Sequence, residues 1–156
     1  MREVTIRRYQ AGDFDALYNI DQICFPRGIA YGRRELRFYL ADPSSDCFVA
    51  ESGAEIYGFI VTEARGADAH IITLDVLPDH RRDGIGTRLL DEGEKAVANR
   101  GAARVWLETA TTNDAAIAFW TRHGYRQYGE ILAGYYGRGG DAFQMRKQVT
   151  AGRSTN

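Results

Sequence analysis

The stretch Leu74-Asp75-Val76-Leu77-Pro78-Asp79-His80-Arg81-Arg82-Asp83-Gly84-Ile85-Gly86-Thr87 decides how the chain is read. A run rich in β-branched residues, from Ala69, stops at Pro78; two arginines follow, and two glycines open a helical pattern that continues to Arg100. The first turn of a helix leaves backbone N–H groups unpaired, and its dipole is positive at that end. Gly84 and Gly86 let a ligand approach the main chain, and Arg81 and Arg82 add charge-assisted hydrogen bonds, so the tip suits a phosphate-like anion. A tight turn with capping glycines accounts for the same letters. Asp83 is the odd member, since a carboxylate beside an anion is unfavourable; its side chain is expected to point outward. The third glycine of G-x-G-x-x-G is missing, which argues against a dinucleotide-binding turn, and a P-loop's Gly-Lys-Ser/Thr ending is missing too.

Upstream of this stretch, Val4 to Arg7 alternates as a strand. Phe14, Leu17, Ile20 and Ile23 recur at helical spacing over Asp13 to Ile23. Phe25 to Tyr31 breaks that helix, Arg33 to Leu40 reads as a second, and Cys47 to Glu51 and Glu55 to Glu63 read as a hairpin across Ser52-Gly53-Ala54. Downstream, Gly101 stops the long helix, Ala103 to Glu108 is a strand, and Asn113 to Arg122 is a short helix capped by Thr112 or Asn113. Two strands follow, Tyr125 to Ile131 and Asp141 to Val149. The order predicts an α/β domain on a single mixed sheet.

Composition bounds the rest. At 156 residues, 44% hydrophobic and 26% charged, the chain is the size and make-up of one globular domain. We expect that domain over residues 1–149, with a flexible tail over 150–156. Twenty basic residues face 21 acidic ones, which argues against a strongly basic nucleic-acid binder. Cys24 and Cys47 sit in apolar settings and are expected to be reduced and buried; no clustered ligands suggest a metal. No apolar run approaches the roughly 20 residues of a membrane span, and the N-terminus lacks a signal peptide's apolar region. A cytoplasmic setting is the expectation.

The chain resembles the GCN5-related N-acetyltransferase superfamily. Arg81-Arg82-Asp83-Gly84-Ile85-Gly86 is similar to its acyl-CoA motif Gln/Arg-x-x-Gly-x-Gly/Ala, and Thr112 to Tyr125 resembles its Asn-x-x-Ala-x-x-x-Tyr-x-x-x-Gly-Phe segment. Within the superfamily it looks most like the N-terminal acetyltransferases, including the ribosomal-protein alanine enzyme. Gly134 to Met145 is similar to their Tyr-Tyr … Asp-Ala … Met ending, and Cys24-Phe25-Pro26 with Tyr31 to their substrate loop. The resemblance implies a mostly antiparallel sheet flanked by helices and acetyl-CoA as cosubstrate. It implies that Leu74, Asp75 and Val76 align the pantetheine arm by their backbone, and that Arg82, Asp83, Gly84, Ile85, Gly86 and Thr87 hold the pyrophosphate, with Arg81 starting this cofactor-binding motif. It implies that Asn113 contacts the cofactor arm and that Glu108 is the catalytic base, through a water. Phe25, Pro26, Tyr31, Tyr135 and Tyr136 would surround the incoming amine.

The chemistry asks little of that base when the acceptor is an α-amine. Its pKa of about 7.7–8.0 leaves a sizeable neutral fraction, whereas a lysine at about 10.4 needs more help. Trp120 stands where the family usually has a tyrosine, and an indole N–H is not a useful general acid. Three readings stay open there. The thiolate leaves unprotonated or takes a proton from water; Tyr135 or Tyr136 substitutes; or the chain binds acyl-CoA with little transfer. His70, His80 and His123 read as structural. Neither cysteine lies in the cofactor segment, so transfer is expected to be direct, in a ternary complex. The expected acceptor is a protein or peptide N-terminus, with a small amine such as a polyamine, amino acid or antibiotic as the alternative, and the protein is expected as a monomer or homodimer.

Overall fold

The computed structural model describes residues 3–149. The tail expected over 150–156, like Met1 and Arg2, lies outside the described residues. In chain order the elements are β1 (Thr5–Arg8), α1 (Phe14–Cys24), α2 (Arg33–Ala41), β2 (Ser45–Ser52), β3 (Glu55–Arg65), β4 (Asp68–Val76), α3 (Ile85–Asn99), β5 (Arg104–Ala110), α4 (Asp114–Arg122), β6 (Arg126–Leu132) and β7 (Ala142–Gln148). One seven-stranded sheet runs β1-β2-β3-β4-β5-β7-β6. Every neighbouring pair is antiparallel except β4–β5. The element order and the mixed, mostly antiparallel sheet agree with the sequence reading.

Alternation along the central strands builds two cores. Phe59 and Val61 of β3 face α1 and α2, where Phe14, Leu17, Ile20 and Leu36 meet them. Ile60 points the other way, into Leu89, Leu90 and Val97 of α3. Gly93 allows that approach: a Cβ there would stand 2.8 Å from Ile60 Cδ1. Each fully buried leucine contributes roughly 1.5–3 kcal/mol. Among the described residues no helix is long and apolar enough to cross a membrane.

Asp46 ties the sheet to the end of α3. Its side chain is 8% exposed and accepts hydrogen bonds from Arg8 Nη1 at 2.8 Å and Arg100 Nε at 2.7 Å. Burial pushes the carboxyl up, but the hydrogen bonds from Arg100 and Arg8 outweigh it and hold it below its ordinary range. Asp46→Ala should therefore cost about 1–3 kcal/mol at neutral pH. A depressed carboxyl contributes stability above its unfolded pKa, and loses it as pH falls through the folded value. Urea titrations of both proteins should thus show a gap at neutral pH that closes in acid.

The site is set by where β4 and β5 part. They pair at only three rungs, ending at His70↔Trp106. Opposite β3, Val61 pairs with Thr73 and Thr62 with Ile71, so Ile72 is an extra residue that bulges β4 just beyond that last rung. Beyond it the two strands continue without pairing, and a cleft opens between them.

Candidate active site

The cleft has a volume of about 1000 Å³. One wall is the end of β4 and the tip of α3; the other is β5 and the start of α4. Leu74, Asp75, Val76, Arg81, Arg82, Gly84, Gly86, Thr87 and Asn113 all line it, as do Glu108, Trp120, Phe25, Pro26, Tyr31 and Tyr136. Three expected residues do not. Ile85 has its side chain in the core, 2% exposed, so only its backbone is available. Asp83 points outward, its side chain 61% exposed. Tyr135 is 46% exposed at the rim.

The α3 tip fits an anion. Gly84 is its N-cap, in left-handed backbone at φ 78°, and no side chain caps the helix. Arg82 is also left-handed at φ 78°. Left-handed residues in such a turn aim successive N–H groups at one point and form an anion-binding concavity. No atom lies within 4 Å of where a Gly84 Cβ would be, so the main chain there is open. Arg81, at the start of the motif, donates from Nε to Val76 O at 2.9 Å and latches the loop to β4. Thr87 Oγ1 lies 3.1 Å from His123 Nε2, tying α3 to the end of α4. Asn113 Oδ1 accepts from Ala116 N at 3.1 Å, so that oxygen caps α4. Trp120 packs edge-on against Phe119 and Tyr125 as a wall of the cleft.

Glu108 differs from the sequence reading in position. It lies within β5 rather than at its end, because β7 extends the pairing to Thr109↔Phe143 and Ala110↔Ala142. Its side chain is 10% exposed, and His70 Nε2 lies 2.8 Å from its Oε1. The His70 ring stacks on Trp106 with centroids 3.8 Å apart and planes 6° off parallel. His70, read as structural from the sequence, is therefore the partner of the carboxylate at the mouth of the split. The two are 38 residues apart; only the parallel register unites them, and no local pattern announces it.

The aromatic residues close around this pair. Tyr31 Oη donates to Ile72 O at 3.2 Å, on the bulge of β4. Burial, then the Glu108 carboxylate, push the Tyr135 hydroxyl up, and the same causes bring Tyr136 to about 12. Burial raises Tyr31 further. These phenols stay protonated at neutral pH, so they serve as hydrogen-bond donors. A Cβ on Gly28 would stand 3.6 Å from Gly139 N, so the Phe25–Tyr31 loop and the β6–β7 loop touch and form a collar. Cys24 corrects a sequence expectation: the fold brings it to the cofactor segment, where Sγ donates to Val76 O at 3.3 Å. Burial and the Asp75 carboxyl push that thiol to about 11 against the opposing effect of Arg81. It is a poor acyl carrier, since the thiolate is the nucleophile. Among the described residues no group of three or more His, Cys, Asp or Glu is placed to hold a metal.

With that geometry in place, a family model described as the acetyltransferase (GNAT) family matches residues 14–125. The N-alpha-acetyltransferase of Sulfurisphaera tokodaii is 28% identical over 157 residues, spanning 92% of this chain and 92% of that protein. The Ard1 structure from Thermoplasma volcanium superposes with a TM-score of 0.84 at 27% identity, covering 94% of this chain and 98% of that one. The ribosomal-protein-S18-alanine N-acetyltransferase from Escherichia coli superposes at 0.81 with 26% identity, covering 99% of each.

Proposed function

The chain belongs to the acetyltransferase (GNAT) family, and from that premise we propose that it acetylates the α-amino group of a protein or peptide N-terminus by direct transfer. It is an acetyl-CoA-dependent N-acetyltransferase. The observation that carries the finer reading is Glu108, set at the split, held by His70 and lining the same cleft as Phe25, Tyr31 and Tyr136. The relative named an N-alpha-acetyltransferase, matched along nearly its whole length, supports it.

Acetyl-CoA supplies the activated acyl carbon. The α3 tip, from Arg82 to Thr87, holds the diphosphate, and the backbone of Leu74 to Val76 orients the arm along the free edge of β4. Glu108 takes the proton from the incoming ammonium, directly or through a water, and the His70 ring holds the carboxylate in its orientation. The Tyr136 hydroxyl donates to an acceptor carbonyl, while Tyr31, whose hydroxyl proton is engaged by Ile72 O, walls the pocket. Trp120 supplies no proton to the departing sulfur. None is required, because a thiol with pKa near 8.5 is a fair leaving group. Holding donor and acceptor together provides much of the rate.

A peptide with a free N-terminus should release CoA thiol, and the same peptide with a blocked N-terminus should not. The collar at Gly28 and Gly139 narrows the acceptor path, and that contact favours a second reading, a small amine as acceptor. Thiol release with polyamines or free amino acids but with no peptide would select it.

A further inference from the structure

We propose that Asp21 of α1 and Asp75 of β4 form a carboxyl pair sharing one proton, which positions the Phe25–Tyr31 acceptor loop against the β4 strand. The proposal rests on the reading of that loop as part of the acceptor site. Asp21 is 0% and Asp75 1% exposed, and both border the cleft. Asp75 Oδ1 accepts from Thr73 Oγ1, and Asp21 Oδ2 accepts from Tyr31 N at 2.7 Å. The remaining oxygens, Asp21 Oδ1 and Asp75 Oδ2, are buried without a donor. α1 packs on β4, and three residues beyond Asp21 the Cys24 Sγ donates to Val76 O, next to Asp75, so the two carboxyls are brought to one place. Neither makes an ion pair with a described lysine, arginine or histidine.

Two bare carboxylates cannot sit there cheaply. Like charges about 4 Å apart repel by roughly 4 kcal/mol even at an effective dielectric of 20, and burial disfavours each charge again. One proton between them removes the repulsion and gives both orphan oxygens a partner. The surrounding groups do little to oppose this. Arg81 favours ionisation of Asp75, but its Nε is engaged by Val76 O. Cys24, Cys47 and Tyr31, the other titratable neighbours, are raised by burial and stay neutral. Burial, then the neighbouring Asp21 carboxyl, correspondingly raise the Asp75 carboxyl well above its ordinary value.

The geometry makes this pair a coupling between the two substrates. Asp75 lies in the segment whose backbone borders the donor side of the cleft. Asp21 grips the backbone of Tyr31, whose carbonyl also accepts from Gln22 Nε2 at 2.8 Å and whose hydroxyl reaches Ile72 O. Loss of the shared proton at alkaline pH sets two charges against each other and frees Tyr31 from its seat. Asp21 and Asp75 are positioning residues; neither is assigned contact with the reacting atoms. The raised carboxyl also fixes a sign. Its stabilising effect is fully present below the unfolded pKa and is lost as pH rises through the folded value.

Infrared spectroscopy of the wild-type protein at neutral pH should show a buried carboxylic-acid C=O band, missing from both Asp75→Asn and Asp21→Asn. In Asp75→Asn the amide donates to the Asp21 carboxylate without titrating. The ratio of variant to wild-type kcat/KM for the acceptor should therefore rise about 10-fold from neutral to alkaline pH, through acceptor KM rather than acetyl-CoA KM. Titration of the amine cancels in that ratio. No carboxylic-acid band in the wild type, or a flat ratio, overturns the proposal. The infrared arm needs no acceptor, and the kinetic arm runs on any amine that releases thiol, so failure of the N-terminal reading is seen separately.

Discussion

Replacing Arg82 and Gly84 together by glutamate is expected to lower coenzyme A affinity by at least about 100-fold, or roughly 2.7 kcal/mol. The change removes one positive charge and adds two negative ones at a helix tip whose exposed N–H groups and dipole attract anions. Its cost to folding is small by comparison. Arg82 already holds φ 78°, and a side chain at Gly84 meets no atom within 4 Å. A left-handed residue other than glycine costs about 1–2 kcal/mol. Calorimetric titration of coenzyme A into the variant checks the effect, with the thermal midpoint of the free protein as control. Affinity within a few-fold of the wild type, in a folded variant, removes the α3 tip from diphosphate binding.

Glu108→Gln is expected to lower turnover by about 100-fold, the usual scale for losing a general base. The amide oxygen keeps the acceptor role toward His70 Nε2, so the pocket retains its shape while proton uptake is lost. The residual rate then depends on amine that is already neutral. It should climb steeply toward pH 8, where an α-amine of pKa about 7.7–8.0 loses its proton. Initial rates against pH, with the same peptide and both enzymes, decide it. An unchanged rate and profile would leave Glu108 without a part in proton transfer, and the Glu108–His70 pair would then be only a bridge between β4 and β5.

The fold was legible because its elements are punctuated. Pro78 stops β4, Gly101 follows α3, and Asp42-Pro43 closes α2, so each predicted element lies within a few residues of the observed one. The α3 tip was legible for the same reason, since two glycines and two arginines are a local signal. What depends on register was not. His70 meets Glu108 only because β4 and β5 align in parallel for three rungs before Ile72 bulges. The end of β5 was set two residues early because Thr109 and Ala110 gain their partners from β7, a strand more than 30 residues away. Cys24 reaches Val76 through the packing of α1 on the sheet, which no spacing in the chain reveals. Asp21 did carry a signal: with Phe14 and Leu17 it completes the buried stripe of α1, and an acid on such a stripe needs a partner. Asp75, buried in β4, is that partner.

In the proposed mechanism, main-chain amides at the start of α3 grip a diphosphate and thereby set the acyl carbon at the parting of β4 and β5. A crystal structure of the protein with a bisubstrate analogue tests it most directly. Diphosphate oxygens should lie within about 2.7–3.2 Å of backbone nitrogens between Arg82 and Thr87, with the linked amine beside Glu108. A diphosphate held elsewhere, with those nitrogens facing only water, contradicts it.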